Sequence, residues 1–325
     1  MRVVFLDRAS LSANIRSLNF ASEYREYEST GTEDIVARLH GAAVAIVNKV
    51  PMHAATLERL PDLKLIAVAA TGVDNVDVAY CRRNGVAVAN IRNYAVHTVP
   101  EHVFALILAL RRNLLAYVQD VASGAWNQSA QFCLRTHSIG DLYGATLGII
   151  GAGAIGRATA AIGAAFGMRV LVAEHRSDSS RTDGRVPLDD LLRQSDVISL
   201  HCPLLPATRN LIDTVALRKM KRTALLINTA RGGLVDEAAL VHALDEGSIA
   251  GAGFDVLTVE PPRNGNPLLD ALRPAPGRPH ERRTNLIVTP HIAWASAEAM
   301  QMLADQLIDT IESWAAGKPL HLVTS

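Results

Sequence analysis

The sequence is poor in cysteine. Cys81, Cys133 and Cys202 are odd in number, lie far apart and form no CxxC pair. That excludes a disulfide framework and a cysteine-based zinc site, and it suits a reducing compartment. Net charge is also lacking, with 32 basic residues against 32 acidic ones. No long-range field therefore favours nucleic acid or an anionic membrane. The densest basic stretch, "GRPHERR" (277–283), reads as a solvated loop. Long apolar runs are absent too. The longest, "VFALILAL" (103–110), falls far below the roughly 18 residues needed to cross a bilayer. The opening "MRVVFLDRAS" has too short an apolar run for a signal peptide, and Asp7 follows directly. There is no internal repeat and no low-complexity tract. These absences predict a cytoplasmic globular protein with no metal, no membrane and no nucleic-acid partner.

What is present is a rhythm. The 325 residues are 49% hydrophobic and 20% charged, an ordinary globular mix. Single cores stop growing at roughly 250–300 residues, so two domains are expected. Short β-branched runs alternate with helical patterns: "VVFLD", "VAIVN", "LIAVAA" and "VAVAN" before residue 95, then "TLGIIG", "RVLVAE", "VISLHC", "ALLINTA", "GAGFDV" and "LIVTPH" between 146 and 291. Continuous apolar strands separated by helices imply parallel sheets covered on both faces. The fold class is α/β, with two doubly wound, Rossmann-like domains.

Two longer helices are predicted. One runs through "TVPEHVFALILALRRNLLAYVQD", capped by Thr98 with Glu101 three residues on. The other runs through "SAEAMQMLADQLIDTIESWAAG", capped by Ser296. The second returns the chain to the first domain, which is then discontinuous, with crossings at 97/98 and 291/292. The segment "ALRPAPGRPHERRTN" (271–285) reads as a surface loop.

The densest signal is "TLGIIGAGAIGRATAAIGAAFGMRVLVAEHR" (146–176). A strand runs into Gly151-Ala152-Gly153-Ala154-Ile155-Gly156, then into an alanine-rich helix and a second strand ending at Glu174. Gly151 allows the tight turn, Gly153 the approach of a pyrophosphate, and Gly156 the close packing of helix on strand. The helix N-terminus then faces the phosphates. Glu174, eighteen positions after Gly156, is placed to bond ribose hydroxyls and to repel a 2′-phosphate, which favours NAD over NADP. His175 and Arg176 soften that repulsion.

Four chemically able residues fall at the ends of three successive predicted strands: Arg231 in "NTARGGLVDEAAL", Asp255 and Glu260 in "GAGFDVLTVEPP", and His291 in "TPHIAWAS". Ligands bind beyond the carboxyl ends of parallel strands. An arginine there can grip a carboxylate with two prongs. Reducing a ketone needs a hydride on carbon, which a nicotinamide supplies, and a proton on oxygen, which a histidine with a carboxylate partner supplies near neutral pH. His97, His102, His137 and His201 read as structural or solvated.

"GAGAIG", "INTARGGLVDE", "GAGFDVLTVEPP" and "TPHIAWAS" resemble the D-isomer-specific 2-hydroxyacid dehydrogenase family, over nearly the whole chain. "FLDR", "NYAVHTVPEHVFALILALRR" and "TPHIAWAS" look most like its glycerate dehydrogenase, or hydroxypyruvate reductase, branch. The resemblance implies that residues 1–97 and 292–325 form a flavodoxin-like substrate domain and 98–291 the NAD-binding domain, with the active site in the cleft between them. It implies Arg231 orienting the substrate carboxylate, Glu260 pairing with His291, and His291 as acid/base. The loop "ATGVDNVD" matches the loop whose N–H groups, around Gly72 and Val73, hold the substrate carboxylate. Thr98, Pro203, Thr208, Ala230 and Asp255 match cofactor-lining positions, Asp255 toward the carboxamide. Trp294 has two readings, a wall of the substrate pocket or packing at the crossing. The segment 119–144 sits where the family has a dimerisation arm, so a homodimer is expected. The substrate implied is a small 2-keto or 2-hydroxy acid, hydroxypyruvate and D-glycerate first, glyoxylate and glycolate also. A short phosphoglycerate dehydrogenase is the alternative within the family. An NAD-sensing binding protein, like the C-terminal-binding corepressors, is the alternative outside catalysis. Formate dehydrogenases carry glutamine at the position of Glu260 and fit poorly.

Overall fold

The apolar runs do form strands, and the strands assemble into two wholly parallel sheets. The computed structural model describes residues 1–174, 184–273 and 285–324. Its contacts divide the chain into two units, Met1–Ala95 with Trp294–Ser325, and Val96–Ala293. Each division falls two residues from the crossings expected from the sequence.

The first unit has five strands: β1 (Arg2–Phe5), β2 (Glu23–Glu26), β3 (Val44–Val47), β4 (Leu65–Val68) and β5 (Ala87–Asn90), in the order β2-β1-β3-β4-β5. β3 and β4 are buried at every position, as strands covered on both faces must be. Their side chains share a core with Val4, Leu6, Ile35 and Val88. β2, "EYRE", was not expected. It is an edge strand with almost no buried residue, held by its register of Arg2↔Glu23 to Phe5↔Glu26 along β1 rather than by apolar patterning. The helix Ala297–Ala315 packs on β4. As expected, Ser296 caps it, accepting the Ala299 N–H at 3.2 Å. The chain then adds a short antiparallel contact to β5, where the Val323 N–H donates to the Val88 carbonyl at 2.8 Å.

Among the described residues the second unit has seven strands: β6 (Thr146–Ile150), β7 (Arg169–Ala173), β8 (Arg185–Val186), β9 (Val197–Leu200), β10 (Leu225–Asn228), β11 (Gly251–Phe254) and β12 (Leu286–Val288). Their order is β12-β11-β10-β9-β6-β7-β8. Strand order reverses between β6 and β9, the place where a doubly wound sheet opens a crevice at its carboxyl edge. Leu200, Leu226, Phe254 and Leu286 centre the core.

Two expectations about the helix from Thr98 are corrected. It ends at Arg111, and a second helix, Leu114–Ala122, begins after Asn113, which is left-handed at φ 48°. Asparagine takes that conformation more readily than most residues, so the break needs no glycine or proline. Nor does Thr98 cap the helix. The capping position is His97, and the Thr98 hydroxyl instead donates to the Ala293 carbonyl at 3.2 Å. Among the described residues no helix is long and apolar enough to cross a membrane, and no group of three or more His, Cys, Asp and Glu side chains is arranged to hold a metal ion. His175, Arg176 and most of the 271–285 segment lie outside the described residues.

Candidate active site

At the end of β6, Gly151 takes φ +107°, and a Cβ there would fall 2.5 Å from the Cys202 nitrogen. A Cβ on Gly156 would fall 2.0 Å from the Gly151 carbonyl oxygen. Both glycines are thus demanded by the close approach of turn, helix and β9. Gly153 differs. It is extended, precedes the helix Ala154–Ala165, and a Cβ there would meet nothing within 4 Å. The open space lies against the first N–H groups of a 12-residue helix, those of Ala154, Ile155 and Gly156, with no acidic side chain in its first turn. That combination fits a pyrophosphate. Glu174 directly follows β7, and its N–H donates to the Val186 carbonyl at 2.9 Å.

Across the switch point, His201 follows β9 and its Nε2 lies 2.9 Å from the Ser199 hydroxyl. Desolvation pushes its pKa down to about 4, so the ring is neutral near pH 7. The following loop is tied by Thr208, whose hydroxyl donates to the Pro203 carbonyl and accepts the Leu205 N–H, each at 2.7 Å.

β10 ends at Asn228, fully buried, whose amide shapes the next three residues. Its Nδ2 donates to the Arg231 carbonyl at 2.9 Å and its Oδ1 accepts the Ala230 N–H at 3.1 Å. Arg231 leaves this turn extended, with Nη1 donating to the Ala230 carbonyl at 2.7 Å. Beyond β11, the Glu260 carboxylate accepts the Leu257 N–H on Oε1 at 2.7 Å, while Oε2 meets His291 Nδ1 at 2.5 Å. An ionised carboxylate only accepts, so Nδ1 carries the hydrogen. Both side chains are about 30% exposed, His291 at 29% and Glu260 at 32%.

His291 was expected where β12 ends. The strand stops three residues earlier, at Val288, and His291 sits in the left-handed region at φ +58°. Such a conformation persists only when its surroundings over-determine it. Here they do. The His291 N–H donates to the Asp255 carbonyl at 2.8 Å, and the Asp255 carboxylate accepts the Thr289 hydroxyl at 2.5 Å, the Ile292 N–H at 2.9 Å and the Ala293 N–H at 2.8 Å. His102 Nε2 meets the same Thr289 hydroxyl at 3.0 Å. Asp255 is 1% exposed, and both of its carboxylate oxygens accept from this turn, so it holds the histidine turn in place. No role for Thr289 is legible in the sequence, where His102 reads as structural or solvated. A hydroxyl and a second histidine within reach of a strand-end aspartate were the available signal.

In the first unit, the loop after β4 holds Gly72 and Val73. Thr71 donates from its hydroxyl to the Ile91 carbonyl at 2.8 Å, and the Val73 carbonyl accepts the Val76 N–H at 3.0 Å. Trp294 meets the Tyr94 ring edge-on, with centroids 6.3 Å apart, which supports the packing reading of that tryptophan.

A family model described as D-isomer specific 2-hydroxyacid dehydrogenase, NAD binding domain, matches residues 104–293. The glycerate dehydrogenase of Methylorubrum extorquens is 57% identical over 323 residues, which cover 99% of this chain and 98% of that one. Among solved structures, an acyclic imino acid reductase in complex with NADPH and D-Arg has a TM-score of 0.85 at 29% identity, over 99% of this chain and 100% of its own. The D-lactate dehydrogenase of Aquifex aeolicus, complexed with NAD and lactic acid, has a TM-score of 0.78 at 27% identity, over 99% of both chains.

Proposed function

The chain belongs to the D-isomer-specific 2-hydroxyacid dehydrogenase family, and from that premise we propose that it is a glycerate dehydrogenase that reduces hydroxypyruvate to D-glycerate with NADH. The observation that carries the reading is the 2.5 Å bond between His291 and Glu260, three residues beyond a strand end and in the same unit as the glycine-rich turn. The 57% identity to a glycerate dehydrogenase supports this substrate over others of the family.

Nicotinamide supplies the hydride when bound. The backbone N–H groups from Ala154 to Gly156 hold its pyrophosphate, Glu174 its ribose hydroxyls, and Thr98, Pro203, Thr208 and Ala230 line its course. Glu260 fixes the His291 ring through Nδ1, so the proton delivered to the substrate oxygen leaves from Nε2. Arg231 grips the substrate carboxylate and offsets charge developing on the reacting oxygen. The N–H groups at Gly72 and Val73 hold the same carboxylate. Asp255 and Thr289 keep the His291 turn in place. Glu174 repels a 2′-phosphate, which supports NADH over NADPH.

The protein works as a homodimer in the cytoplasm. The support for the homodimer lies in the helix Leu114–Ala122 and the segment after it. Leu114, Val118 and Val121 are each more than half exposed on one helix face, and Phe132 and Tyr143 are 90% and 84% exposed. The segment folds back on the helix, with Thr136 donating to Asp120 at 2.6 Å and Tyr117 to the His137 carbonyl at 2.6 Å.

The test is turnover of hydroxypyruvate, glyoxylate, pyruvate and phenylpyruvate with NADH and with NADPH. Hydroxypyruvate with NADH should be fastest, and Glu174→Ala should narrow the preference for NADH. Nucleotide binding without turnover of any of the four acids would overturn the reading. Light scattering should give twice the chain mass.

A further inference from the structure

The loop that carries Glu260 is fastened on both sides by a single buried carboxylate. Glu237, the first residue of the helix Glu237–Asp245, is 8% exposed. Its Oε1 accepts the Thr258 N–H at 2.7 Å, and its Oε2 accepts Asn266 Nδ2 at 2.7 Å. Thr258 stands two residues before Glu260 and Asn266 six after it. Asn266, 6% exposed, is fixed in turn, since its Oδ1 accepts the Leu268 N–H at 2.9 Å and caps the helix Pro267–Ala271. The near side of the loop presses on Gly232, where a Cβ would fall 1.9 Å from the Leu257 carbonyl carbon. So the strand end that carries Arg231, the loop that carries Glu260 and the helix start at Glu237 meet with no slack.

Burying a carboxylate is costly unless its oxygens are matched by donors. At Glu237 each oxygen has a donor, one on either side of Glu260. We infer that Glu237 is a positioning residue that sets the Glu260 carboxylate against His291; the inference rests on reading that pair as the proton-transfer couple. Glu237 acts through the loop backbone, because the carboxyl it places is aimed from a loop that is otherwise partly exposed. The other ionisable groups around the loop are Arg263 on the loop itself, Asp270 facing Gly265 from the helix Pro267–Ala271, His291 opposite, Asp255 and His102 behind the His291 turn, and Arg231 before Gly232.

The experiment follows the His291 imidazole by NMR titration in the full chain, alongside kcat/KM for hydroxypyruvate reduction against pH. The variants are Glu260→Gln, Glu237→Gln, and Glu237→Gln combined with Asn266→Asp. Glutamine at 237 sets an amide donor against the Asn266 amide donor and breaks one arm of the bracket. The double variant exchanges the roles: the amide at 237 donates to the carboxylate at 266, which still accepts the Leu268 N–H. Glu260→Gln should lower the His291 midpoint. Glu237→Gln should lower it in the same direction by about half a pH unit, and the alkaline limb of reduction should move with it. The double variant should restore both. A midpoint that Glu237→Gln leaves in place while Glu260→Gln moves it overturns the inference, as does one that neither moves. Should Glu237→Gln not fold, the double variant decides alone: folded with a wild-type midpoint it supports the bracket, and with a displaced midpoint it refutes it. Should the wild type not reduce hydroxypyruvate, the functional reading fails, and the NMR midpoints still decide the positioning.

Discussion

The two sheets share one architecture and treat its crevice in opposite ways. Each is doubly wound, and each reverses strand order once, between β1 and β3 in the first unit and between β6 and β9 in the second. At the first reversal the chain fills the crevice itself. The Asp7 carboxylate, 8% exposed, accepts the Asn48 N–H at 2.9 Å and the Lys49 N–H at 2.7 Å. Burial raises its pKa even though those donors pull it down. At the second reversal no side chain among the described residues plays that part. Gly153 leaves open space in front of a helix N-terminus. The difference teaches that topology marks where a ligand can bind, while local chemistry decides whether the backbone donors are kept for a guest or given to the chain's own carboxylate.

The strongest way to break the comparison is to fill the second crevice. Gly156→Ala puts a Cβ against the Gly151 carbonyl oxygen and should cost on the order of 10²-fold or more in NADH affinity, measured by fluorescence titration. Wild-type affinity would show that the turn is not the cofactor's seat. Next in size is Arg231→Lys, which keeps the charge and loses the planar fork. It should lower kcat/KM about 10²-fold while NADH binding stays intact. Near-normal kinetics would remove Arg231 from the substrate grip.

Emptying the first crevice tests the other half. Asp7→Ala strips the acceptor from the Asn48 and Lys49 N–H groups and should cost roughly 2–3 kcal/mol of stability by denaturant unfolding, with no change in NADH affinity. A loss of affinity there would mean that the first crevice also serves the cofactor. The smallest effect concerns His201. Its folded pKa of about 4 lies below the usual value of 6.5, so the unfolded chain binds the extra proton between those limits. The stability it contributes is present above pH 6.5 and is lost as pH falls through about 4. Comparing unfolding at pH 7 and pH 4.5, the wild type should lose about 2 kcal/mol more than His201→Gln. Equal losses would show that this ring is not held neutral by the packed switch point.

The sequence made the second crevice far more legible than the first. Glycine spacing, flanking strand and acidic terminus announce a nucleotide turn, because each answers a steric demand that few other residues meet. Asp7 announced nothing: one aspartate after an apolar run reads as a boundary, and its donors lie 41 and 42 positions away in the chain. The same holds for β2, whose strand state is set by main-chain pairing with β1, and for the helix break at Asn113, where neither proline nor glycine marks the turn. At the candidate site, Arg231, Glu260 and His291 were visible as residue types at strand ends. What holds them was not. The left-handed turn at His291, the buried set around Asp255 and the Glu237 bracket depend on contacts between residues remote in sequence, and no periodicity encodes those.

The first unit is made of two stretches of chain separated by the whole of the second. Synthesis therefore delivers β1 to β5 long before the helix Ala297–Ala315 that packs on β4 and the strand-like contact at Val323 that covers the edge of β5. Roughly 200 residues intervene, on the order of 10–40 s at ribosomal speed. Throughout that interval an apolar sheet face and an unpaired edge stand bare, while the second unit, continuous in sequence, has all it needs to fold. Completion runs against the usual N-terminal-first order, and the nascent first unit is the part of this molecule that most needs a chaperone's shelter.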